Sequence, residues 1–558
     1  MMQINNNLDI NLNNNNFDNT ADIYNASTTL AYSEKHQHTK TIPKCQSTLA
    51  KSRYGVATFL TGCSLFTAAL ALPSIALAEQ VDDYQNEDAL AVLEATSNEP
   101  LPDLESLENS PELKLTLPDI QHFQTKAGVP VAFVHSSALP IVDVDLRFNA
   151  GSARDNDIRP DGFGIAGMTA TMLTQGTKTL SEEDFTRAVE TLGVSLSSHA
   201  YKDMFTVSIR SLSDEQHLEP ALELVKQMLA EPRFDDDILA RNKAQLMVGL
   251  QQQQQDPSSV ASLAFNKALF GDHPYAHPSS GTLETVPTLS TQDLADFKSR
   301  FLVASNASLA ITGDLTLDEA KTLADSLTQV LPKGQPAPTL ADPKPLDAGR
   351  RIHIPFDSTQ TTVIMGQLGD KRSNSAAELQ SQANFAVGNE VLAGGDFNAR
   401  LMTEIRKNLG YTYGISGHMA PMLARGSYQI GFSTRNDKAD AAIDATLATI
   451  NSTLQDGISD EELQLTKDNL KNSFPMSFAS NAGINGLLSM MNFYKLPDSY
   501  LTDYLSRIDK VDLKAANDTL NQKIEPNKFL IVTVGNGTKD GLSPTTNTLE
   551  ADPTPSSD

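Results

Sequence analysis

The stretch that decides the fold is residues 140–177, PIVDVDLRFNAGSARDNDIRPDGFGIAGMTATMLTQGT. Its first part alternates β-branched and polar residues, which predicts a strand. Its second part places three apolar residues on one helical stripe, Ile165, Met168 and Met172. Gly176 follows them as the expected end of the helix. The opposite face carries only small uncharged residues, Gly167, Ala170, Thr171 and Thr174. A helix with such a blank face needs an explanation.

The length, composition and net charge of the chain limit its structural class and its possible partners. It has 558 residues, more than one hydrophobic core usually holds, so two or more domains are expected. Apolar residues make up 40% and tryptophan is absent, which is a globular composition. The formal charge of −26 gives a surface that repels phosphate backbones. Nucleic acid is therefore not an expected partner.

The first part of the chain has the composition of an export signal. Residues 1–53 are a low-complexity extension, rich in asparagine, in which Lys51 and Arg53 precede an uncharged segment. That segment, 54–78, is apolar and ends in Ala-Leu-Ala before Glu79. A basic start, an apolar run and small residues at the end predict a secretory signal peptide. We therefore expect an exported protein, located in the periplasm of a bacterial envelope.

Two alternatives to a cleaved signal remain open from the sequence. Residues 54–78 are long enough for a transmembrane anchor. Cys63, in Leu-Thr-Gly-Cys, is a possible lipidation site. Cleavage after Ala78 would remove Cys45 and Cys63, and an exported chain of this size does not need disulfides.

The remaining sequence predicts two copies of one domain. TTVIMGQLG (361–369) is similar to VDVDLRFNAG (142–151), and KFLIVTVGN (528–536) is similar to ASLAITGD (307–314), both at an offset of about 220 residues. We predict two repeated α+β domains, each a mixed or antiparallel sheet with helices on one face, arranged as a clamshell. The boundaries are a flexible acidic leader at 79–110, a first domain at 111–330, a Pro- and Gly-rich linker at 331–351, a second domain at 352–540 and a disordered tail at 541–558.

Shorter patterns place elements inside the first domain. Residues 194–212 predict a β-hairpin. A Ser181/Asp184 capping box predicts a helix that ends at Gly193. Further helices are predicted at 214–230, 235–255 and 316–330.

Five segments in order give the chain a family resemblance. They are FNAGSARD, GFGIAGMTATMLTQGT, FGDHPYAHPSSGT, ASLAITGD and LAGGDFNARLMTEIRKNLGYTYGIS. Together they resemble the insulinase/pitrilysin-type zinc peptidases, which include the mitochondrial processing peptidases. The resemblance covers roughly residues 111–540.

The resemblance explains the small, uncharged helix face as a zinc site whose ligands have been replaced. In active members of the family this helix carries H-x-x-E-H, in which two histidines bind zinc and the glutamate is the general base. This chain has Gly167, Ala170 and Thr171 at those positions. The family takes its third ligand, a glutamate, from a later helix, but residues 238–255 here contain no Asp, Glu, His or Cys. We therefore expect no metal or other cofactor in this chain, as we also would if the helix were an ordinary amphipathic one.

Two other histidines are spaced as on one face of a helix, but the residues around them do not predict a helix. His273 and His277 are four residues apart, but Pro274 argues against a helix between them. We do not expect them to hold a metal.

A second constellation is EIRKNLGYTYG. The sequence places Arg406 in the last turn of a helix ended by Gly410, and Tyr413 at the start of the next strand. The resemblance implies that this pair donates hydrogen bonds to the substrate carbonyl and the developing oxyanion. The residues alone favour another interpretation, in which Arg406 is a solvated cation at a helix end and Tyr413 is a half-buried strand aromatic like Tyr411.

The chain lacks the zinc ligands but retains the Arg/Tyr pair, which implies that two different subunits supply the catalytic groups. Some bacterial relatives are heterodimers in which one subunit keeps the zinc helix and the other keeps the pair. The resemblance therefore implies the non-zinc-binding subunit of an exported heteromeric zinc metalloendopeptidase. It would help to enclose a peptide or an unfolded protein substrate, and its homologous partner would hold the zinc. The alternative is a non-catalytic scaffold or interaction protein of the same fold.

Overall fold

The computed structural model describes residues 116–536. The predicted extension, signal peptide, acidic leader and tail, with Cys45 and Cys63, lie outside the described residues. Within 116–536, none of the helices has the length and apolarity required to cross a bilayer.

The first half is built on a six-stranded sheet. Its strands are β1 (Gln121–Gln124), β2 (Pro130–His135), β3 (Ile141–Phe148), β4 (Ser195–Ala200), β5 (Phe205–Leu212) and β6 (Ala307–Gly313). They lie in the order β1-β2-β6-β3-β5-β4, with β2 and β6 parallel and the other neighbours antiparallel. The predicted hairpin at 194–212 is the β4–β5 pair, and β4 forms one edge of the sheet.

Helices of the first half cover one face of this sheet. They are α1 (Ile165–Leu173), α2 (Glu182–Leu192), α3 (Glu215–Ala230), α4 (Asp236–Gln253), α6 (Thr291–Phe301) and α7 (Leu317–Thr328), whereas α5 (Pro257–Phe270) packs on the second sheet. Alternate strand residues such as Phe133, Leu146 and Ile311 join apolar residues of α1, α3, α6 and α7 in one core. Ser181 caps α2 by accepting the Asp184 N–H, and Gly193 ends that helix with φ 64°.

Helix α1 ends earlier than the sequence predicts. It stops at Leu173, and the Thr174 hydroxyl donates to the Thr171 carbonyl at 3.1 Å in the last turn. Gly176, with φ 108°, lies in the turn after the helix, where the chain needs a positive φ angle. The backbone of Thr174, with φ −90° and ψ 5°, leaves the α-helical region, and this ends the helix.

The second half repeats the topology of the first. Its strands are β7 (Arg350–Pro355), β8 (Gln360–Leu368), β9 (Thr412–Ala420), β10 (Ser427–Arg435) and β11 (Leu530–Gly535), in the order β7-β11-β8-β10-β9. Only β7 and β11 are parallel, as β2 and β6 are in the first sheet. The helices are α8 (Ala376–Ala393), α9 (Ala439–Asp456), α10 (Asp460–Ser473), α11 (Asn481–Phe493), α12 (Tyr504–Asp509) and α13 (Leu513–Lys523). The predicted repeat of an α+β domain is thus confirmed.

One helix from each half crosses to the other half's sheet. Helix α5 packs Phe265 and its neighbours against Val532 and Val534 of the second sheet. Helix α11 packs Leu488 against Val134 and its neighbours in the first sheet.

The sequence predicts helices on one face of each sheet only. The opposite face of the second sheet is covered because its strand residues there, such as Val532 and Val534, are apolar and need burial. The opposite face of the first sheet is mixed, and its Asp145 carboxylate accepts a hydrogen bond from the Ser489 hydroxyl of α11.

A buried carboxylate joins the two halves. Asp203, in the β4–β5 turn, accepts hydrogen bonds from the Tyr275 hydroxyl, from the Leu423 N–H at 2.7 Å and from the Tyr494 hydroxyl at 3.3 Å. Leu423 and Tyr494 belong to the second half, whereas Asp203 and Tyr275 belong to the first. Burial raises the pKa of Asp203, and its three donors oppose that rise.

Candidate functional site

A buried aspartate fixes the start of the blank helix. The Asp155 carboxylate accepts the backbone N–H groups of Gly164 at 2.8 Å and Ala166 at 2.9 Å. These groups lie in the first turn of α1, where N–H groups have no partner inside the helix. Burial raises the pKa of Asp155 to about 8, against the effect of the two N–H donors. The aspartate of FNAGSARD therefore supports the helix.

The three zinc-motif positions differ in their surroundings. Ala170 is buried, Gly167 is partly buried and Thr171 is exposed, with its hydroxyl donating to the Gly167 carbonyl at 3.2 Å. None of the three side chains offers a nitrogen, carboxylate or thiolate to a metal. The family's zinc ligands and its general base are missing from this chain.

Backbone atoms also leave no room for a side chain at the first motif position, Gly167. A Cβ atom built on Gly167 would lie 2.7 Å from the Ser279 carbonyl oxygen. The loop that carries this carbonyl is held in place on both sides. The His277 ring stacks on Phe163 at 3.5 Å, and the Ser152 hydroxyl donates to the Ser279 hydroxyl at 3.1 Å. A histidine at position 167 would therefore have to displace a fixed loop, and the residues present do not fit a zinc ion.

The stretch expected to carry the third ligand does lie beside α1. It belongs to α4, whose Asn242 amide approaches Met172 Sδ at 3.4 Å, while Arg241 donates to Gln175 Oε1 at 3.2 Å. Throughout residues 116–536, no three His, Cys, Asp or Glu side chains are grouped so that they could hold a metal.

His273 and His277 are engaged separately. His273 Nε2 bonds the Ala341 carbonyl at 2.8 Å, whereas His277 stacks on Phe163. Burial lowers the pKa of both imidazoles. Pro274–Ala276 between them is a short 3₁₀ turn, so the two rings do not share a helix face.

Arg406 lies where the sequence predicts, at the end of a helical segment. Met402–Asn408 is a π-helical turn, and Gly410 follows with φ 62°. The guanidinium carbon lies 4.6 Å from the centre of the Phe397 ring. Within the described part of the chain, the Arg406 side chain makes no hydrogen bond or ion pair. It therefore does not bond the helix carbonyls, as a capping cation would.

Tyr413 is the second residue of edge strand β9 and is 85% exposed. Tyr413 is therefore more exposed than the half-buried strand aromatic that the residues alone predict. Tyr411 does fit that description, since it is partly buried with the Lys438 ammonium 6.0 Å from its ring. The Tyr413 hydroxyl has no hydrogen-bond partner among residues 116–536.

The structure brings Arg406 and Tyr413 to one corner of the second half. The π-helical turn and the start of β9 are joined directly by the Tyr411 N–H, which donates to the Ile405 carbonyl at 2.9 Å. Gly167, Ala170 and Thr171 lie on α1 in the first half. In the described ranges, no hydrogen bond or ring contact connects the two sets of residues.

Phe397 and Leu409 belong to the same corner and were not identified as site residues from the sequence. Phe397 is 57% exposed beneath the Arg406 guanidinium, and Leu409 is 37% exposed. Phe397 lies in the segment that carries the resemblance, LAGGDFNARL, but an isolated phenylalanine there gives no sign of exposure. The corner therefore combines a cation, a phenol and apolar surface.

Family models match both halves of the chain. Residues 130–283 match the model described as "Insulinase (Peptidase family M16)", and residues 288–470 match "Peptidase M16 inactive domain". The curated relatives include "Non-peptidase homolog YmxG" of Helicobacter pylori, 25% identical over 74% of this chain and 94% of the relative. They also include an "Uncharacterized zinc protease" of Rickettsia bellii, 23% identical over 63% and 82% of the two chains.

Solved structures agree with this assignment. The crystal structure of a peptidase M16 inactive domain from Pseudomonas fluorescens is 34% identical, with a TM-score of 0.71 over 75% of this chain and 98% of that one. A protease from Helicobacter pylori is 17% identical, with a TM-score of 0.68 over 75% and 100%, and shows the fold alone. This chain belongs to the insulinase family of peptidases, family M16, and it lacks the zinc ligands of the family's motif.

Proposed function

We propose that this chain is the non-zinc-binding subunit of a heteromeric zinc metalloendopeptidase. It contributes Arg406 and Tyr413 to a site whose zinc belongs to a homologous partner subunit. The observation that carries the proposal is that Tyr413 is exposed and Arg406 is only partly buried, while the polar group of neither has a hydrogen-bond partner among the described residues. This pair is present in a chain whose own zinc helix has lost its ligands.

The chemistry of the pair suits a site completed by another chain. A guanidinium and a phenol both donate hydrogen bonds, and neither needs to change its protonation state to do so. Placed at a carbonyl oxygen that becomes negative in the transition state, such donors lower the barrier to hydrolysis. Phe397, beneath the guanidinium, restricts where Arg406 can point. The substrate would be a peptide or an unfolded protein enclosed between the subunits.

A scaffold role is the second candidate, and the same corner supports it. Exposed Phe397 and Leu409 beside Arg406 and Tyr413 provide apolar contact area together with polar anchors. This composition is typical of residues at the centre of protein interfaces. The relative described as a non-peptidase homolog is compatible with either role.

The first experiment is purification of the native protein from its source with metal analysis of each chain. The proposal expects a second insulinase-family chain that carries H-x-x-E-H and about one zinc, in keeping with a single catalytic site. Peptide cleavage should require both chains. A complex without zinc, or cleavage by the partner at the same rate when alone, would leave the scaffold role in place.

The proposal includes export to the bacterial envelope. If residues 54–78 are a cleaved signal, the protein recovered from the periplasm should begin at Glu79. N-terminal sequencing and mass spectrometry make this test. An intact 54–78 segment in the membrane fraction would indicate an anchor, and a lipid on Cys63 would indicate lipidation.

A further inference from the structure

The second half contains a pocket that neither the zinc motif nor the Arg/Tyr pair uses. It lies between α8, α10, α12 and strand β9, and its cavity volume is about 200 Å³. Apolar and aromatic side chains form much of its wall, among them Leu379, Phe385, Met419, Leu470 and Tyr504. A concave, largely apolar cavity with a few polar groups is the usual form of a small-ligand site.

Most charged groups of this pocket are already engaged by the protein. Asp370 pairs with the Lys523 ammonium. The Arg507 guanidinium donates to the backbone carbonyls of Ser499 and Tyr500. The Arg372 guanidinium lies over the Tyr494 ring at 5.1 Å. These groups therefore already have protein neighbours that stabilise their charge.

Glu390 is the exception. Its side chain lines the pocket from α8 and is partly buried, yet it makes no hydrogen bond or ion pair within residues 116–536. Burial, with a smaller effect from Asp396, raises the pKa of its carboxyl. A desolvated carboxylate without a counter-charge is costly, so it marks a place where an opposite charge would be bound favourably.

The end of α8 leaves room for this carboxylate. A Cβ atom on Gly394 would lie 2.5 Å from Glu390 Oε1, so only glycine accommodates the side chain in its present position. The Tyr504 ring is part of the same wall, and its phenol and the Glu390 carboxylate are close enough to influence each other electrostatically. Aromatic faces and a carboxylate together form a favourable environment for a cation on an apolar body.

We propose that this pocket binds an apolar molecule that carries a primary ammonium group, with the Glu390 carboxylate as its counter-ion. The ammonium supplies the charge and the hydrogen-bond donors that Glu390 lacks. The apolar body lies against the aromatic and aliphatic wall. The ligand is either a small amine or the side chain of a lysine in a peptide, since both present the same group.

The test is calorimetric titration of the full chain with matched probes. We use 4-phenylbutylamine, its uncharged analogue 4-phenylbutanol, and N-acetyl-Phe-Lys-amide. The amine should bind at least about tenfold more tightly than the alcohol, because only the amine forms a charge-assisted hydrogen bond. The peptide amide separates the two sources of the ammonium, since it binds more tightly than the free amine only if a peptide side chain is the natural ligand.

Two variants and one control connect the preference to Glu390. Glu390→Gln should remove the difference between amine and alcohol, whereas Glu378→Gln, an exposed position on the same helix, should retain it. Gly394→Ala should weaken amine binding because its methyl group displaces the carboxylate. Equal affinity for amine and alcohol in the wild-type chain, or an unchanged preference in a folded Glu390→Gln variant, would overturn the proposal. Neither outcome depends on the peptidase proposal.

Discussion

At the scale of single residues, the loss of the zinc site is more than a loss of ligands. The sequence shows that Gly167, Ala170 and Thr171 cannot bind zinc. It cannot show that the Ser279 carbonyl closes the first of these positions, because that contact joins residues more than a hundred positions apart. The closing loop is fixed by the stacking of His277 on Phe163, which no local pattern indicates.

Restoring the motif should therefore not restore the metal. In the triple variant Gly167→His, Ala170→Glu, Thr171→His, the new Cβ at position 167 meets backbone and a glutamate replaces the buried Ala170. Overpacking alone should lower the free energy of unfolding by about 1–3 kcal/mol, and the buried carboxylate should lower it further. The single variant Thr171→His is the control, since that side chain faces solvent and should change stability by less than about 0.5 kcal/mol. Urea unfolding and metal analysis make the measurements. A triple variant with one tightly bound zinc and wild-type stability would contradict the closed site.

At the scale of elements, the sequence predicts the repeated sheets and misses the crossing helices. Alternating residues in 142–151 and 361–369 define strands locally, and their repetition predicts two domains. No helix is predicted at Pro257–Phe270 or Asn481–Phe493, although Asp256 and Ser480 cap their first turns. Each of these helices packs on the sheet of the other half of the sequence. Which sheet a helix covers is decided by tertiary packing, and local periodicity carries no information on it.

The crossing of α5 has a measurable consequence. Phe265 is fully buried between α5 and the second sheet, so Phe265→Ala should lower the free energy of unfolding by about 3–5 kcal/mol. Leu263 on the same helix is 36% exposed, and Leu263→Ala should cost less than about 1 kcal/mol. Hydrogen exchange should show the loss of protection in β11 of the second half. Protection lost only in the first half would argue against the crossing.

At the scale of the whole molecule, Asp203 is a buried polar connection between the halves, since it accepts hydrogen bonds from both. Asp203→Ala would leave the hydroxyls of Tyr275 and Tyr494 and the Leu423 N–H without their acceptor. Each unsatisfied buried donor costs about 1–3 kcal/mol. Asp272→Ala, at an exposed position of the first half, is the control and should be nearly neutral. Thermal unfolding should show a large drop only for Asp203→Ala. Equal melting temperatures would show that the halves do not depend on this carboxylate.

The exposed corner can be predicted only in part. The sequence places Arg406 at a helix end and Tyr413 at a strand start, and the structure agrees on both positions. The exposure of Tyr413 and the contact of Arg406 with Phe397 follow from how the π-helical turn meets edge strand β9, which the motif alone does not specify. The catalytic role of the pair remains our proposal, and it applies to an assembly of two chains.

The most direct test of that proposal is the turnover of the reconstituted pair with Arg406→Ala or Tyr413→Phe. Both side chains are outside the core, so the complex should assemble normally by size-exclusion chromatography. If the pair stabilises the developing oxyanion, kcat should fall roughly 10²–10³-fold, with a smaller change in KM. Lys407→Ala and Tyr411→Phe, at neighbouring positions, should leave kcat unchanged. Unchanged kcat for both Arg406→Ala and Tyr413→Phe in an assembled, active complex would contradict the composite site.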